Sequence, residues 1–377
     1  MKRLESVKRT NWRQRLEEAG CYFHSLGGQY WNENAYYEFN SHEAGAIQEA
    51  TQSLHHLCLI AVEHIISHGL FEQLGIDRQV APTIIQSWES QEPSLYGRFD
   101  LRFDGASPPK MLEYNADTPT ALLEGSLVQK QWLLDSLAAT HTQCNSIHEA
   151  LQGAWRKMRL SGEVVYFACV EGSEEDRDNI EYMRQSAAAA GVLSRHIAIE
   201  DLGWDSNKNC FIDLENRKIE TIFKLYPWEW IVNEEFGIHF RAPNIKVLEP
   251  AWKMLLSNKA ILPVLWELFP DHPNLLPAYY EAKPLGKHYV AKPFFSREGA
   301  NISIYDGEHV IATAGNYGEE GYIFQDFAAL PNFSGSHPVI GSWIIGGQAV
   351  GFGIRESDGL ITHNLSRFVP HAIPLQS

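Results

Sequence analysis

Residues 97–117, GRFDLRFDGASPPKMLEYNAD, constrain this chain more than any other stretch. Two runs of alternating apolar residues flank Asp104-Gly105-Ala106-Ser107-Pro108-Pro109, a turn-forming string, so the segment predicts an antiparallel hairpin. Setting Asp100 opposite Glu113 places Arg98 opposite Asn115, Phe99 opposite Tyr114 and Leu101 opposite Leu112. Strand side chains alternate between faces, so Arg98, Asp100, Glu113 and Asn115 share one face, and the aromatic and leucine side chains share the buried one. A slip of one residue would drive the polar set into the core, so the apolar face fixes the register.

Two carboxylates and an amide oxygen on one face, with no lysine among them, form a hard-oxygen donor set. Mg²⁺ accepts such a set, taking one or two carboxylates and completing its shell with water and phosphate oxygens. Without a cation the facing carboxylates would repel and one pKa would rise. Arg98, one pair further along, can hold a carboxylate or phosphate oxygen through two parallel N–H bonds. The competing reading is a solvated salt-bridge face on an exposed hairpin.

The surrounding sequence predicts a mixed α/β chain. Residues 41–67 have helical periodicity that stops near Gly69, and Pro119 is expected to open a second helix. EVVYFACV, SEEDRDNIEYMRQSAAAAG and VLSRHIAI read as strand, helix and strand, a βαβ unit. IETIFKLY and IKVLEP add strands, and NKAILPVLWELF is a helix bent or started at Pro263. From Tyr289 the pattern becomes strands joined by glycine-rich turns, a mainly antiparallel element distinct from the α/β middle.

A second group of residues suits an anionic nucleotide. In AKPFFSREGANISI, Lys292 lies on a strand that runs into Ser296–Asn301, where Gly299 and other small residues let backbone N–H groups approach a phosphate beside Arg297. No helix opens after that glycine, so this is neither a Walker A loop nor a dinucleotide fingerprint. Lys259 sits near a helix start, where anions are also favoured. Gln325 and Asp326 in YIFQDF suit an adenine edge, and Arg355 follows a strand with two glycines. Taken singly, each is equally a turn or a solvated surface charge.

YGRFD, LEYNAD, SNKAILPVLWELFP, AKPFFSREGANI and GFGIRE, in that order, resemble the synthetase domain of the glutathionylspermidine synthetase family over roughly residues 10–370. The resemblance implies an ATP-grasp fold of the α/β (α+β) class, with a preceding α/β pre-ATP-grasp subdomain and a helical N-terminal region. It divides the chain into residues 1–255 and 256–377, with the active site shared. By position it makes Asp100, Glu113 and Asn115 Mg²⁺ ligands and puts Arg98 beside the glutathione carboxylate and its acyl phosphate. Lys259 and Lys292 match nucleotide-binding lysines, Arg297 and Gly299 fall in the phosphate loop, and Gln325 lies along the adenine. Arg355 matches an arginine near the transferred phosphate, and Thr118 stands where the family has a serine near the thiol substrate. The family's N-terminal amidase domain is absent, and KLYPWEW departs from the segment that helps hold glutathione. The likeness is therefore to short, single-function acid–amine ligases.

The expected activity is ATP-dependent carbon–nitrogen ligation. ATP phosphorylates a carboxylate (a peptide or glutathione-like acid), and an amine such as a polyamine displaces the phosphate. The sequence offers no Ser-His-Asp or Cys-His arrangement, and this chemistry needs no protein nucleophile. SREGANIS and AGNYGEEG are candidate lids over ATP. A nucleotide-binding protein without turnover and a carboxylate kinase are the alternatives.

A net charge of -16 argues against a nucleic-acid partner and suits a cationic small molecule, although acidity also serves solubility alone. No apolar run reaches the roughly 18 residues of a membrane span, and the charged N-terminus is not a signal peptide. Five dispersed cysteines with no C-x-x-C pair read as free thiols of a cytoplasmic protein. His64 and His68 lie four apart but not in H-E-x-x-H order, so they read as structural and not as zinc ligands. Cys21 near His24 reads as inert, and Trp228 and Trp230 as core.

Overall fold

The computed structural model describes residues 1–25, 28–158, 160, 163–241 and 245–375. The predicted hairpin forms from Tyr96–Arg102 and Lys110–Asn115. Arg98 faces Asn115, Phe99 faces Tyr114 and Asp100 faces Glu113, as the alternation requires. The register then shifts, and Leu101 pairs with Met111 instead of Leu112. A β-bulge inserts one extra residue on the second strand. It keeps Met111 and Leu101 fully buried and leaves Leu112 at the polar face.

The hairpin is not free-standing. Tyr96–Arg102 also pairs with His337–Ile345, which pairs with Gln348–Ser357 and through it with Arg367–Val369. The result is a five-stranded antiparallel sheet with the early hairpin at one end and the late strands at the other. Arg355 therefore lies within a strand, not after one. Across this sheet packs the helix Ser41–His68, begun by a reciprocal Asn40–Glu43 capping box and ended at Gly69 in the left-handed region. Its buried stripe includes Ile47, Leu54, Cys58 and Ile65.

The βαβ unit is present as expected. Val164–Cys169, the helix Glu174–Ala189 and Leu193–Ala198 build it, with the Ser173 hydroxyl accepting from the Asp176 N–H at the helix start. Thr221–Leu225 and Lys246–Leu248 add on the other side of Val164–Cys169, all in parallel. The strand order thus reverses beside Val164–Cys169, which opens a crevice outside the carboxyl ends of the strands. A third sheet orders Ala278–Tyr279, Tyr322–Asp326, His288–Pro293, Ser303–Asp306 and His309–Ala312, all antiparallel.

Two local expectations need correction. The helix after the hairpin starts at Leu122, not Pro119, because Ala121 is left-handed at φ 67°. Thr118 and Thr120 are meanwhile engaged by arginines. Trp228 is buried, but Trp230 is 40% exposed and sets its edge against Tyr226. The helix with Pro263 runs Ile261–Leu268 and holds the proline in its first turn, where no intrahelical N–H is lost.

Candidate active site

The bulged hairpin turns its polar face toward the third sheet, and a cleft of about 1190 Å³ of empty space lies between them. Every residue that the sequence assigns to the site lines this cleft: Arg98, Asp100, Glu113, Asn115, Thr118, Lys259, Lys292, Arg297, Gly299, Gln325 and Arg355.

Asp100 is held by two guanidiniums. Arg98 donates from Nε to Oδ1 at 2.7 Å and from Nη2 to Oδ2 at 3.1 Å, and Arg355 donates from Nη2 to Oδ2 at 3.2 Å. Arg98 spends Nη1 on the Thr120 carbonyl at 2.7 Å, so its plane is fixed from both ends. Glu113 is held by lysine instead: Lys259 Nζ lies 2.9 Å from Oε2 and also donates to the Ser296 carbonyl at 2.5 Å. Asn115 Nδ2 donates to Glu113 Oε1 at 3.2 Å, leaving the amide oxygen free of that bond.

The hairpin face carries no lysine, yet the fold delivers two from elsewhere. Burial pushes the Glu113 carboxyl up, but Lys259 and Lys292 outweigh it and hold Glu113 well below the usual carboxylate range. The repulsion anticipated between facing carboxylates is thus replaced by neutralisation. Burial, with Lys259 adding to it and Glu113 opposing, pulls Lys292 down to about 8. Lys292 donates to Gln325 Oε1 at 2.7 Å and to the Leu112 carbonyl at 2.9 Å.

The loop after His288–Pro293 closes one side of the cleft. Arg297 donates from Nη2 to the Thr118 hydroxyl and from Nη1 to Glu229 Oε1 at 3.2 Å. Gly299 sits at φ 73° against the Thr362 carbonyl, where an added Cβ would lie 2.4 Å from that oxygen. Asn301 donates to the Tyr317 carbonyl at 2.7 Å, and the Thr313 hydroxyl bonds Ile302. The two glycine-rich segments singled out as lids are therefore tied to each other.

Sequence reasoning missed Glu229, which neutralises Arg297, and the buried Asp117–Lys224 pair at 2.6 Å beneath it. Lys224 and Glu229 lie in KLYPWEW and Asp117 ends LEYNAD, but nothing in their spacing marks them. It also missed Glu124 and Tyr30, fully buried behind the two arginines of Asp100. Among the described residues no group of three or more His, Cys, Asp or Glu forms a metal cage. His64 and His68 pack ring against ring on the helix surface, and His68 Nδ1 lies 2.9 Å from the His64 carbonyl. The metal-capable oxygens are two carboxylates and an amide, a set suited to Mg²⁺ in company with phosphate.

An antiparallel sheet facing a bulged, charged hairpin across a cleft is the architecture of the ATP-grasp class. A glutathione synthetase-like effector from Globodera pallida superposes with a TM-score of 0.57 over 97% of this chain and 99% of its own, at 10% identity. That similarity speaks to fold alone. Residues 3–374 match the family model described as glutathionylspermidine synthase preATP-grasp, and the chain belongs to that family. A Haemophilus influenzae protein named "Putative acid--amine ligase" is 40% identical over 376 residues, covering 95% of each chain. Trypanothione synthetase of Crithidia fasciculata is 29% identical over 320 residues, 76% of this chain and 48% of that protein. The bifunctional glutathionylspermidine synthetase/amidase of Escherichia coli is 26% identical over 376 residues, 91% of this chain and 60% of that protein. Among the described residues no helix is long and apolar enough to cross a membrane.

Proposed function

We propose that this protein is an ATP-dependent carbon–nitrogen ligase that activates a carboxylate as its acyl phosphate and transfers the acyl group to an amine. One observation carries the reading: Asp100 and Glu113 stand opposite each other, ringed by Arg98, Arg355, Lys259 and Lys292. Such a ring suits a polyphosphate with a divalent cation and has little use on a solvated hairpin. Asp100, Glu113 and Asn115 would hold Mg²⁺, which when bound neutralises charge on phosphate oxygens.

Amide formation in water is uphill, so the acid needs a better leaving group than hydroxide. Lys259 and Lys292 hold ATP phosphates, and Gly299 lets the loop backbone approach them. Arg98 and Arg355 face the transferred phosphoryl group and the acyl phosphate, where fixed donors stabilise developing charge without reorganising. Thr118 holds the acid, Arg297 of the phosphate loop is bonded to Thr118, and loop closure excludes water from the acyl phosphate. Residues 1–255 and 256–377 are the two parts that share this site. The acid is a peptide or glutathione-like molecule and the amine a small cation such as a polyamine, which the acidic chain tolerates. Five free cysteines support a reducing, cytoplasmic setting.

The test is ADP release from MgATP across a panel of small peptides and thiols crossed with amines and polyamines, with product masses measured. Asp100→Asn and Glu113→Gln, each checked for native fold, should lower turnover at least 100-fold. Full turnover in either variant removes the site assignment. Hydroxylamine-trapped acyl phosphate with no amine ever joined would identify a carboxylate kinase. MgATP binding without ADP release across the panel would identify a binding protein.

A further inference from the structure

The strand Lys110–Asn115 lies at the edge of the central sheet, and among the described residues no sixth strand pairs with it. Side chains of the third sheet meet it instead. The Met111 carbonyl accepts from Gln325 Nε2 at 3.0 Å, and the Leu112 carbonyl accepts from Lys292 Nζ at 2.9 Å. A regular strand sends successive carbonyls to opposite edges, so both reach the third sheet only because the bulge interrupts the alternation. For the hairpin alone the bulge is a loss, since Leu112 is left unpaired in the ladder. Something outside the hairpin holds the shifted register.

The segment between the helix Ile261–Leu268 and the strand Ala278–Tyr279 supplies that hold. Asn274, buried in this segment, grips the edge strand at two points. Its Nδ2 donates to the Pro109 carbonyl at 2.9 Å, and its own carbonyl accepts the Met111 N–H at 2.9 Å. Between those points Lys110 Nζ donates to the Leu275 carbonyl at 3.0 Å. Asn274 is itself fixed, because its N–H donates to His272 Nδ1 at 3.2 Å. Further along the same segment Ala278 pairs with Gln325, and the Pro277 carbonyl accepts the Asp326 N–H at 2.7 Å. One short stretch thus holds both the bulge and the glutamine that braces Lys292.

We propose that Asn274 is a positioning residue for nucleotide binding, whose side chain pins the bulged register that delivers the Leu112 and Met111 carbonyls to Lys292 and Gln325. The proposal rests on the nucleotide site of the ligase reading above and adds what sets the reach of its lysine. Loss of the amide donor leaves the buried Pro109 carbonyl without that bond. The bulge can then relax toward regular pairing, which turns Leu112 to the buried face and one of the two carbonyls away from the third sheet.

The experiment uses the full chain and measures MgATP binding by calorimetry. Asn274→Asp keeps the volume and removes the donor, and Asn274→Ala removes the side chain. Each should weaken MgATP binding at least about tenfold, the scale of a lost hydrogen bond to a charged group. A residue that only stabilises the fold would not couple to Gln325. The double variant Asn274→Ala/Gln325→Leu should therefore bind within about twofold of Gln325→Leu alone, whereas independent losses would multiply to about 100-fold. Ser186→Ala removes a buried bond from Trp155 Nε1 in the βαβ unit, outside the cleft lining, and should bind MgATP as the parent does. Parental affinity in both Asn274 variants overturns the proposal, even where their urea midpoints fall. Multiplying losses in the double variant, or an equal loss in Ser186→Ala, also overturn it. No MgATP binding by the parent protein sinks the ligase reading as well, a result distinct from parental binding that Asn274 does not affect.

Discussion

Lys292 and Gln325 are locked together at 2.7 Å, and Gln325 passes its amide nitrogen on to the Met111 carbonyl at 3.0 Å. The bulge at Leu112 makes this possible by supplying two adjacent carbonyls, one to the lysine and one to the glutamine. Gln325 is thus a strut between the hairpin and the third sheet. In Gln325→Leu, Lys292 loses a partner and the Met111 carbonyl is left unpaired. A hydrogen bond to a charged group contributes about 1.5–3 kcal/mol, so ATP affinity should fall at least tenfold by calorimetry. An unchanged dissociation constant would show that the strut does not set the lysine.

Gly299→Ala should separate loop docking from folding. The substitution puts a methyl group against the Thr362 carbonyl at a φ that L-residues avoid. The expected result is a KM for ATP raised at least tenfold, new proteolytic cleavage within residues 296–301, and a nearly unchanged melting temperature. A docked, protease-resistant loop in the variant would contradict this.

The Asp117–Lys224 pair is fully buried, and the second Asp117 oxygen accepts from the Trp228 N–H at 2.8 Å. Lys224→Met leaves an unpaired buried carboxylate, which costs about 3–5 kcal/mol. The urea midpoint should drop accordingly, and adding Asp117→Asn should recover part of the loss. Equal midpoints for the single variant and the parent would show the pair to be energetically idle.

Acid should destabilise the fold through two histidines. His371 is buried with neither ring nitrogen bonded among the described residues, and burial pulls it down to about 3. His55 is pulled down to about 4, by burial first and then by Lys253 and His56. Both are held neutral when folded, and the unfolded chain takes up their protons near pH 6.5. Their contribution is therefore complete above about pH 6.5 and is lost as pH falls toward 3–4. Denaturant titrations of the parent and His371→Phe should converge above pH 7, after allowing for a constant packing offset, and diverge below pH 6. Parallel curves across that range would refute the assignment.

Chelation should abolish turnover without melting the protein. Asp100 and Glu113 already have Arg98, Arg355 and Lys259 as partners. Adding EDTA is expected to stop ADP release and leave the melting temperature unchanged, and re-adding Mg²⁺ should restore the rate. A large thermal shift on chelation would instead point to a structural metal.

The hairpin was legible in the sequence because period-two alternation and a buried aromatic pair fix which residues share a face. The bulge at Leu112 was not, since one added residue depends on which of two neighbouring apolar side chains the core accepts. Lys259 and Lys292 could be named singly, but their convergence on Glu113 depends on packing between elements far apart in sequence. Ala121 misled the reading for a related reason: PTALLEG is good helical sequence, and the contacts of Thr118 and Thr120 override it. Glu229 and Glu124 left no local trace, because a carboxylate on a helix is ordinary until its neighbours are known.

The central sheet places Asp100 beside Gly341. During synthesis the hairpin leaves the ribosome long before the strand that must flank it, and it waits with an exposed edge. Such a wait leaves the long-range pairing of His337–Ile345 with Tyr96–Arg102 as the slow step that completes the sheet.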